Sequence, residues 1–292
     1  MKTLKLGMVG GGQGAFIGGV HRMASRLDGR WELVAGALSS HPARAEASAK
    51  ELGLDPKRSY QSYAEMAVQE AARADGIDAV AIVTPNHMHA GPAIAFLEAG
   101  IHVICDKPLA ATSEQAQLID AAVRASKAHF IFTHNYTGYP VIRQARKLVE
   151  NGELGEIRVI QAEYAQDWLS QAADNKQADW RVNPEKSGAG AIGDIGTHAL
   201  NLASFVSGLQ PQALCADLHS FVDGRRVDDN AHIMLRFEKG AKGMLWASQV
   251  AVGCENTLTI RIYGEKAGLE WQQENPNQLS FTRFGQAKQL LT

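Results

Sequence analysis

The sequence predicts an α/β protein in two parts: an N-terminal doubly wound parallel sheet, then an α+β domain on a large, mostly antiparallel sheet. Three observations predict it. Over the first ~130 residues short apolar runs alternate with helical patterns, as in βαβ units. A glycine-rich segment, residues 10–19, separates the first apolar run from the first helical pattern. From Ile157 onward the strands lengthen and alternate apolar with polar residues, as strands with one solvated face do. The change of pattern falls within residues 133–139, giving expected domains of 1–133 and 134–292.

The elements follow in order. Residues 4–9 read as a strand and 20–27 as a helix. Residues 32–38 are the second strand, and 42–52 a helix with Pro42 suited to its first turn. A helix at 64–73 precedes a buried strand at 79–83. A helix at 92–99 is stopped by Gly100, and a strand follows at 102–105. Thr112, with Glu114 and Gln115 behind it, opens a helix to residue 126, before a last strand at 129–133. In the second half, a helix at 141–150 stops at Asn151-Gly152. Strands are expected at 158–164, 231–237, 243–250, 258–263 and 279–284, with a helix at 192–206 between them. No internal repeat or low-complexity linker interrupts the chain.

Composition narrows the function. With 45% hydrophobic and 21% charged residues the chain has ordinary globular material for two cores. A net charge of -2 without a basic stripe argues against nucleic acid. No apolar run reaches the ~20 residues that span a bilayer, and residues 1–12 hold too short a run for a signal peptide. Cys105, Cys215 and Cys254 are odd in number and far apart, so neither a disulfide framework nor a zinc knuckle is expected. They read as buried thiols in a reducing cytoplasm. His21, His87, His129, His134, His219 and His232 have no metal-ligand spacing, and His87-x-His89 alone is weak, so no metal is expected.

The glycine segment carries the first chemistry. Gly10, Gly12 and Ala15 fit G-x-G-x-x-G/A between a strand and a helix, where the backbone turns tightly and a pyrophosphate sits on the helix N-terminus. Gly18 also suits the place of the helix-packing glycine. With Gln13, Phe16 and Ile17 these residues are candidate contacts of a dinucleotide, and a side chain at Gly12 is expected to fill the pyrophosphate volume. The bland alternative is a flexible turn without a ligand. The second strand ends in Leu38-Ser39-Ser40-His41, without the acid that bonds the ribose 2′-hydroxyl of NAD. Ser39 and Ser40 do not repel a 2′-phosphate, and Arg44, one helical turn on, could pair with it. That leans the cofactor, NAD(P), toward NADP; Arg44 as a merely solvated residue is the alternative.

Three further motifs stand in order: Thr84-Pro85-Asn86-His87-Met88-His89 after one buried strand, Asp106-Lys107-Pro108 after the next, and Gly193-Asp194-Ile195-Gly196-Thr197-His198 at a helix start. With the glycines, the set resembles the Gfo/Idh/MocA family, which includes glucose–fructose oxidoreductase and inositol dehydrogenases, over nearly the whole chain. The resemblance implies a Rossmann domain and an NAD(P)-dependent oxidoreductase. It places Lys107 beside the nicotinamide and the reacting hydroxyl, with Asp106 where the family usually has Glu and a peptide before Pro108 that is often cis. It makes His198 the acid/base on the substrate oxygen, with Asp194 beside it. Thr84, Pro85, Asn86 and His89 would run along the cofactor; Asn135 and Tyr136 would lie near nicotinamide and substrate. Trp180-Arg181, ahead of Gly188-Ala189-Gly190, resembles the family's entry to the active-site helix. Two departures stand out. Asn201 replaces a second acid found in many members. Similar proteins commonly continue past the strand at 279–284 with a helical stretch and a final strand, so a short member or a truncated chain would lack pocket walls from such a tail.

The same residues also read physically. Asp194 and His198 are i and i+4, one face of a regular helix. Gly193 and Gly196 each cost that helix about 1 kcal/mol relative to alanine, which close approach of a ligand or another backbone would explain. A capped helix with a satisfied core histidine is the alternative. Lys107, between a buried strand and a proline, is an unexpected place for a solvated lysine; a structural bridge to Asp106 competes with a catalytic role. Trp168, Trp180, Tyr136, Tyr139 and Tyr164 could stack on sugar rings or serve as plain core. The expected reaction is hydride transfer between NAD(P) and a hydroxyl carbon of a sugar, polyol or glycoside. Redox-assisted cleavage of a glycoside with recycled NAD, and a non-enzymatic NAD(P)-binding regulator, compete with it. The second-domain sheet offers a face for a homo-oligomer.

Overall fold

The computed structural model describes residues 3–172 and 176–292, which divide into two compact units, Met1–Thr133 and His134–Thr292. The first unit is a parallel five-stranded sheet. Its strands are β1 (Leu4–Gly10), β2 (Trp31–Ala37), β3 (Ala79–Val83), β4 (His102–Cys105) and β5 (Phe130–Phe132), in spatial order 2-1-3-4-5. Its helices are α1 (Phe16–Arg26), α2 (Pro42–Glu51), α3 (Tyr63–Ala72), α4 (Ala90–Glu98) and α5 (Ser113–Ala125). The central β3 shows why the sheet is covered twice. Val80 and Ile82 pack into one core with Met66, Phe96 and Ile119, whereas Ala79, Ala81 and Val83 pack into another with Leu6, Met8 and Ala49. A strand buried on both faces reads as a continuous apolar run, which is what residues 79–83 are. Ser62 and Thr112 cap α3 and α5 by accepting from the amides of Glu65 and Gln115.

The second unit begins with α6 (Pro140–Glu150) and β6 (Ile157–Ala165). Two short helices follow, α7 (Lys176–Arg181) and α8 (Pro184–Ser187). A π turn (Ile192–Gly196) then leads into α9 (Thr197–Ser207). Seven more strands complete an eight-stranded sheet: β7 (Pro211–His219), β8 (Asn230–Phe237), β9 (Lys242–Ser248), β10 (Thr257–Gly264), β11 (Ala267–Gln272), β12 (Leu279–Arg283) and β13 (Gln289–Leu291). Their order is 13-12-11-10-6-9-8-7, and all neighbours are antiparallel except β6 and β9. One face carries α6 and α9 over a core of Ile160, Leu202, Leu245, Ile260 and Trp271. On β8, Ile233, Leu235 and Phe237 belong to that core while His232, Met234 and Arg236 face solvent, the alternation the sequence showed.

The expected fold class holds, with local differences. Helix α1 starts at Phe16 rather than residue 20, because the glycine loop closes sooner than its composition suggests. Strands β7, β11 and β13 were not anticipated. β7 is an edge strand exposed along nearly its whole length, so it lacks a buried, periodic face. Of the cysteines expected to be buried, only Cys105 is; Cys215 is exposed on β7 and Cys254 is half-buried. Among the described residues no helix is long and apolar enough to cross a membrane, and no cluster of three metal-ligating side chains occurs.

Candidate functional site

In the first unit the candidate site grows out of the order reversal between β1 and β3, where open α/β sheets bind ligands beyond their strand ends. The chain leaves β1 through Gly10 and Gly11 at φ 79° and 73°, a region closed to most side chains. Gly18 on α1 packs against the Gly11 backbone so closely that any Cβ would collide with it. Below the turn, Arg22 donates to the Gly11 carbonyl at 2.7 Å. Gly12 corrects the expectation attached to it: its Cβ would meet the Leu38 carbonyl and Ser48 Oγ at 2.7 Å, so a side chain strikes the protein itself. Ser48 is the missed residue here. Its hydroxyl accepts from the Gln13 amide at 3.0 Å and donates to the Arg44 carbonyl at 2.7 Å, pinning the loop to α2. A mid-helix serine gives no signal for this in the sequence.

These residues fit a dinucleotide. The N-cap of α1, Ala15, provides no side-chain cap, and the first turn carries no acid, so the helix start suits an anion. The Thr84 hydroxyl at the end of β3 is buried with no hydrogen-bond partner in the structure, beside the Gly10 turn. Gln13 and Phe16 are exposed at the loop and Ile17 is half-buried. Ser39 Oγ accepts from the His41 amide at 3.1 Å, while Ser40 and Arg44 are exposed at the end of β2 and on α2.

Next along the sheet, Asn86 is buried and His89 has no exposure. The His89 ring is fixed between the Pro108 carbonyl (2.8 Å from Nδ1) and the Thr84 carbonyl (2.9 Å from Nε2). Burial holds its pKa below the ordinary value against those two carbonyls. The expected cofactor contact is thus a clasp that ties the β3 loop to the Lys107–Pro108 turn, whose peptide is cis. Asp106 is held below the usual carboxylate range: burial pushes it up, but His21 (3.8 Å), the Lys107 charge and the Thr133 hydroxyl (2.9 Å) outweigh that. Lys107 itself is half-buried.

The second unit builds a separate constellation around the start of α9. Asp228 accepts from the Gly190 and Ile192 amides, both at 2.8 Å, and its own carbonyl accepts from Ala191 at 2.8 Å. Gly190 leaves room for that backbone contact; no side chain would fit. The π turn this anchors contains Asp194, so Asp194 and His198 do not stand on one regular α-helix as expected; such turns occur at many functional sites. Gly196 meets Ala247 of β9, which explains its presence as close packing. Asp194 Oδ2 accepts from Arg181 Nε (3.1 Å) and from the buried Gln249 amide (2.9 Å). The Arg181 guanidinium lies 4.3 Å from the Trp180 ring centroid and 5.8 Å from that of Trp168.

His198 is buried, its Nδ1 3.4 Å from that of His134, with its ring edge-on to Tyr136 at 4.9 Å and tilted to Tyr164 at 6.1 Å. The two tyrosine hydroxyls are 2.6 Å apart, and Tyr164 donates to Asn256, which also accepts from Gln166. Burial pushes both tyrosines up, and the Asp194 charge adds to it, placing Asp194 within electrostatic reach of the pair that carries His198. Tyr136, Tyr139 and Tyr164 are therefore core and scaffold rather than open sugar platforms; Trp168 and Trp180 stay partly exposed, as does Asn135. Sequence reasoning missed His134, Asp228 and Gln249, whose partners lie far away in the chain.

Comparison with known proteins agrees with this layout. Residues 4–136 match the family described as "Oxidoreductase family, NAD-binding Rossmann fold", and residues 142–270 match the "GFO/IDH/MocA C-terminal domain". An oxidoreductase from Sinorhizobium meliloti has a similar structure, with a TM-score of 0.93 at 56% identity over 100% of this chain and 78% of that one. An inositol dehydrogenase homologue from Azotobacter vinelandii, solved with NADH and myo-inositol, has a TM-score of 0.93 at 39% identity, covering 99% and 76%. Levoglucosan dehydrogenase of Pseudarthrobacter phenanthrenivorans is 31% identical over 96% of this chain and 76% of its own length. A Rossmann unit with a glycine turn, followed by an α+β unit with an Asp-x-x-x-His helix start, defines a nucleotide-dependent oxidoreductase. The chain belongs to the Gfo/Idh/MocA family of NAD-binding oxidoreductases, whose members among its relatives include sugar dehydrogenases.

Proposed function

We propose that the protein transfers hydride between a nicotinamide cofactor and a hydroxyl carbon of a sugar, polyol or glycoside. The observation that carries this reading is the second unit's centre, in which Asp194 is held by Arg181 and Gln249 while His198 is buried against Tyr136. A carboxylate with fixed donors and an imidazole with a fixed ring are what binding one hydroxyl and deprotonating another require. When bound, the nicotinamide supplies the hydride acceptor or donor. The protein's own residues handle the proton: His198 exchanges it with the substrate oxygen, Lys107 stabilises charge on that oxygen, and Asp194 binds a neighbouring hydroxyl. The relatives solved or named with myo-inositol and levoglucosan support a carbohydrate-like substrate. The test is absorbance at 340 nm with NAD+ or NADP+ over myo-inositol, levoglucosan and simple glycosides. Growth of reduced cofactor is expected with at least one; a cofactor-binding protein inert to all of them would sink the reading.

The end of β2 favours NADP. Ser39 and Ser40 place no acid at the ribose, and Arg44 is exposed on the first turns of α2. Ser39→Asp should shift kcat/KM toward NAD by setting a negative charge against a 2′-phosphate. Wild-type protein that already prefers NAD strongly would overturn this lean. We also propose a homo-oligomer through the uncovered side of the eight-stranded sheet.

A further inference from the structure

We propose that His134 is a positioning residue for His198: the two imidazoles share one proton between their Nδ1 atoms, which sets the His198 tautomer and assigns proton exchange with the substrate to its Nε2. The inference rests on His198 exchanging the substrate proton, as read above, and adds how that ring is tuned. The Nδ1 atoms are 3.4 Å apart, and the rings cross edge-on at 84° with centroids 5.3 Å apart. Two nitrogens at that distance need one N–H and one lone pair; two lone pairs or two protons repel. The pair therefore has two arrangements. If His198 donates its Nδ1–H, its Nε2 carries the lone pair of a base. If His134 donates, neutral His198 carries its proton on Nε2 and has no lone pair there to accept the substrate proton; the acid is the imidazolium, protonated on both nitrogens.

The geometry around the pair makes the arrangement stiff. His134 sits directly before the turn of residues 135–138, where Thr137 donates to its carbonyl through both amide (3.3 Å) and hydroxyl (2.8 Å). Tyr136 of that turn packs edge-on against the His198 ring, and Tyr164 of β6 bonds to Tyr136. Among the described contacts, the titratable groups against His198 are His134, Tyr136 and Tyr164, with Asp194 and its partner Arg181 on the preceding turn; Arg146 on the neighbouring α6 lies over Phe205. Burial holds both tyrosines further above neutrality, so of these groups His134 is the one that can accept from His198 Nδ1 and titrate near pH 7.

The step balances. On oxidation the substrate O–H proton moves to His198 Nε2 as hydride leaves the same carbon for the nicotinamide, and a C=O bond forms. The resulting imidazolium donates Nδ1–H to His134, which stabilises it. On reduction the Nε2 proton returns to the oxygen. Accepting from the charged form raises the proton affinity of His198, so loss of the acceptor lowers it. Protonating His198 also opposes protonation of His134, and the pair titrates in coupled steps.

Ring-nitrogen NMR titration of the full-length protein tests this without a substrate, with His198 signals identified by their loss in His198→Asn. Wild-type protein should show two coupled steps. His134→Leu should leave one His198 step, moved about one pH unit toward acid. His134→Asn, whose side-chain oxygen accepts but does not titrate, should leave one step near the upper wild-type value. His198 titrating identically in wild type and His134→Leu overturns the proposal; so does a two-step titration that survives in His134→Asn, which stands if the leucine variant fails to fold. Turnover of myo-inositol or levoglucosan separates the two layers. Near wild-type turnover in His198→Asn defeats the underlying reading. An inactive His198→Asn with an unmoved acid limb of kcat in His134→Leu defeats only the role of His134.

Discussion

At the scale of single residues, the proposed proton handling divides between Lys107 in the first unit and His198 in the second. Lys107 stands at the end of β4, in a turn clasped by His89, and His198 stands on α9 between His134 and Tyr136. The His89 clasp and the His134 and Tyr136 contacts lie outside the glycine loop that is proposed to hold the cofactor. Lys107→Met and His198→Asn should therefore each lower kcat by about 10²–10⁴-fold while cofactor affinity, measured by calorimetry, stays within a few-fold. The double variant should be little worse than the worse single, because groups acting as a unit are non-additive. A single variant with near wild-type kcat on a true substrate would make that residue structural.

At the scale of elements, the start of α9 is set from outside the helix. Asp228 takes two amides of the residues leading into the π turn, and the close fit of Gly190 on the Asp228 backbone fixes its entry. Asp228→Ala leaves those amides without their carboxylate, at a cost of about 1–3 kcal/mol in unfolding stability. The same change should loosen Asp194 and depress kcat more than that stability loss predicts at temperatures where the protein stays folded. Equal kcat in a destabilised variant would show that the turn holds itself. Gly18→Val gives the matching case in the first unit: it forces α1 from Gly11, so stability and cofactor affinity should fall together.

How far these elements were legible follows from what each one touches. The strands at 79–83 and 102–105 are apolar runs bounded by breakers, and they were readable to the residue. The glycine turn at Gly10 and the Lys107–Pro108 turn were readable because they lie in short local spacings, while the chemistry of Lys107, Asp194 and His198 is a proposal that rests on the family resemblance. The clasp of His89 was not, since a histidine on two backbone carbonyls looks the same in sequence as one facing a ligand. Nor were Asp228, Gln249 and His134: their partners stand 36 to 64 residues away, and no periodicity reports such a pairing. The π turn was hidden for a related reason, because an inserted half-step keeps helical composition while shifting the face.

At the scale of the whole molecule, the second unit's sheet is only half accounted for. Helices α6 and α9 cover one face, but the other carries Met234, Met244, Val159 and Tyr263 at a third or more exposed, with His232 stacked on Trp246. The edge strand β7 adds Leu214 at 67% and Leu218 at 49% exposed, beside a row of unpaired backbone groups. Native proteins protect such an edge with charge, proline or a bulge; β7 has Pro211 and a register break before Ala213 at its start and Asp217 near its end, which leaves the stretch around Leu214 open. A sheet face of this kind, with exposed apolar side chains around the Glu163–Arg261–Glu270 ion pairs, can be buried in an isologous dimer. Sedimentation at micromolar concentration should therefore show a dimer or larger symmetric assembly. Met234→Arg with Met244→Glu should shift it toward the monomer without lowering cofactor affinity, because both side chains point away from the second unit's core and neither belongs to the nucleotide-binding unit. A wild-type monomer across that concentration range would refute the oligomer, and an assembly unchanged by the paired substitution would move the contact to another surface.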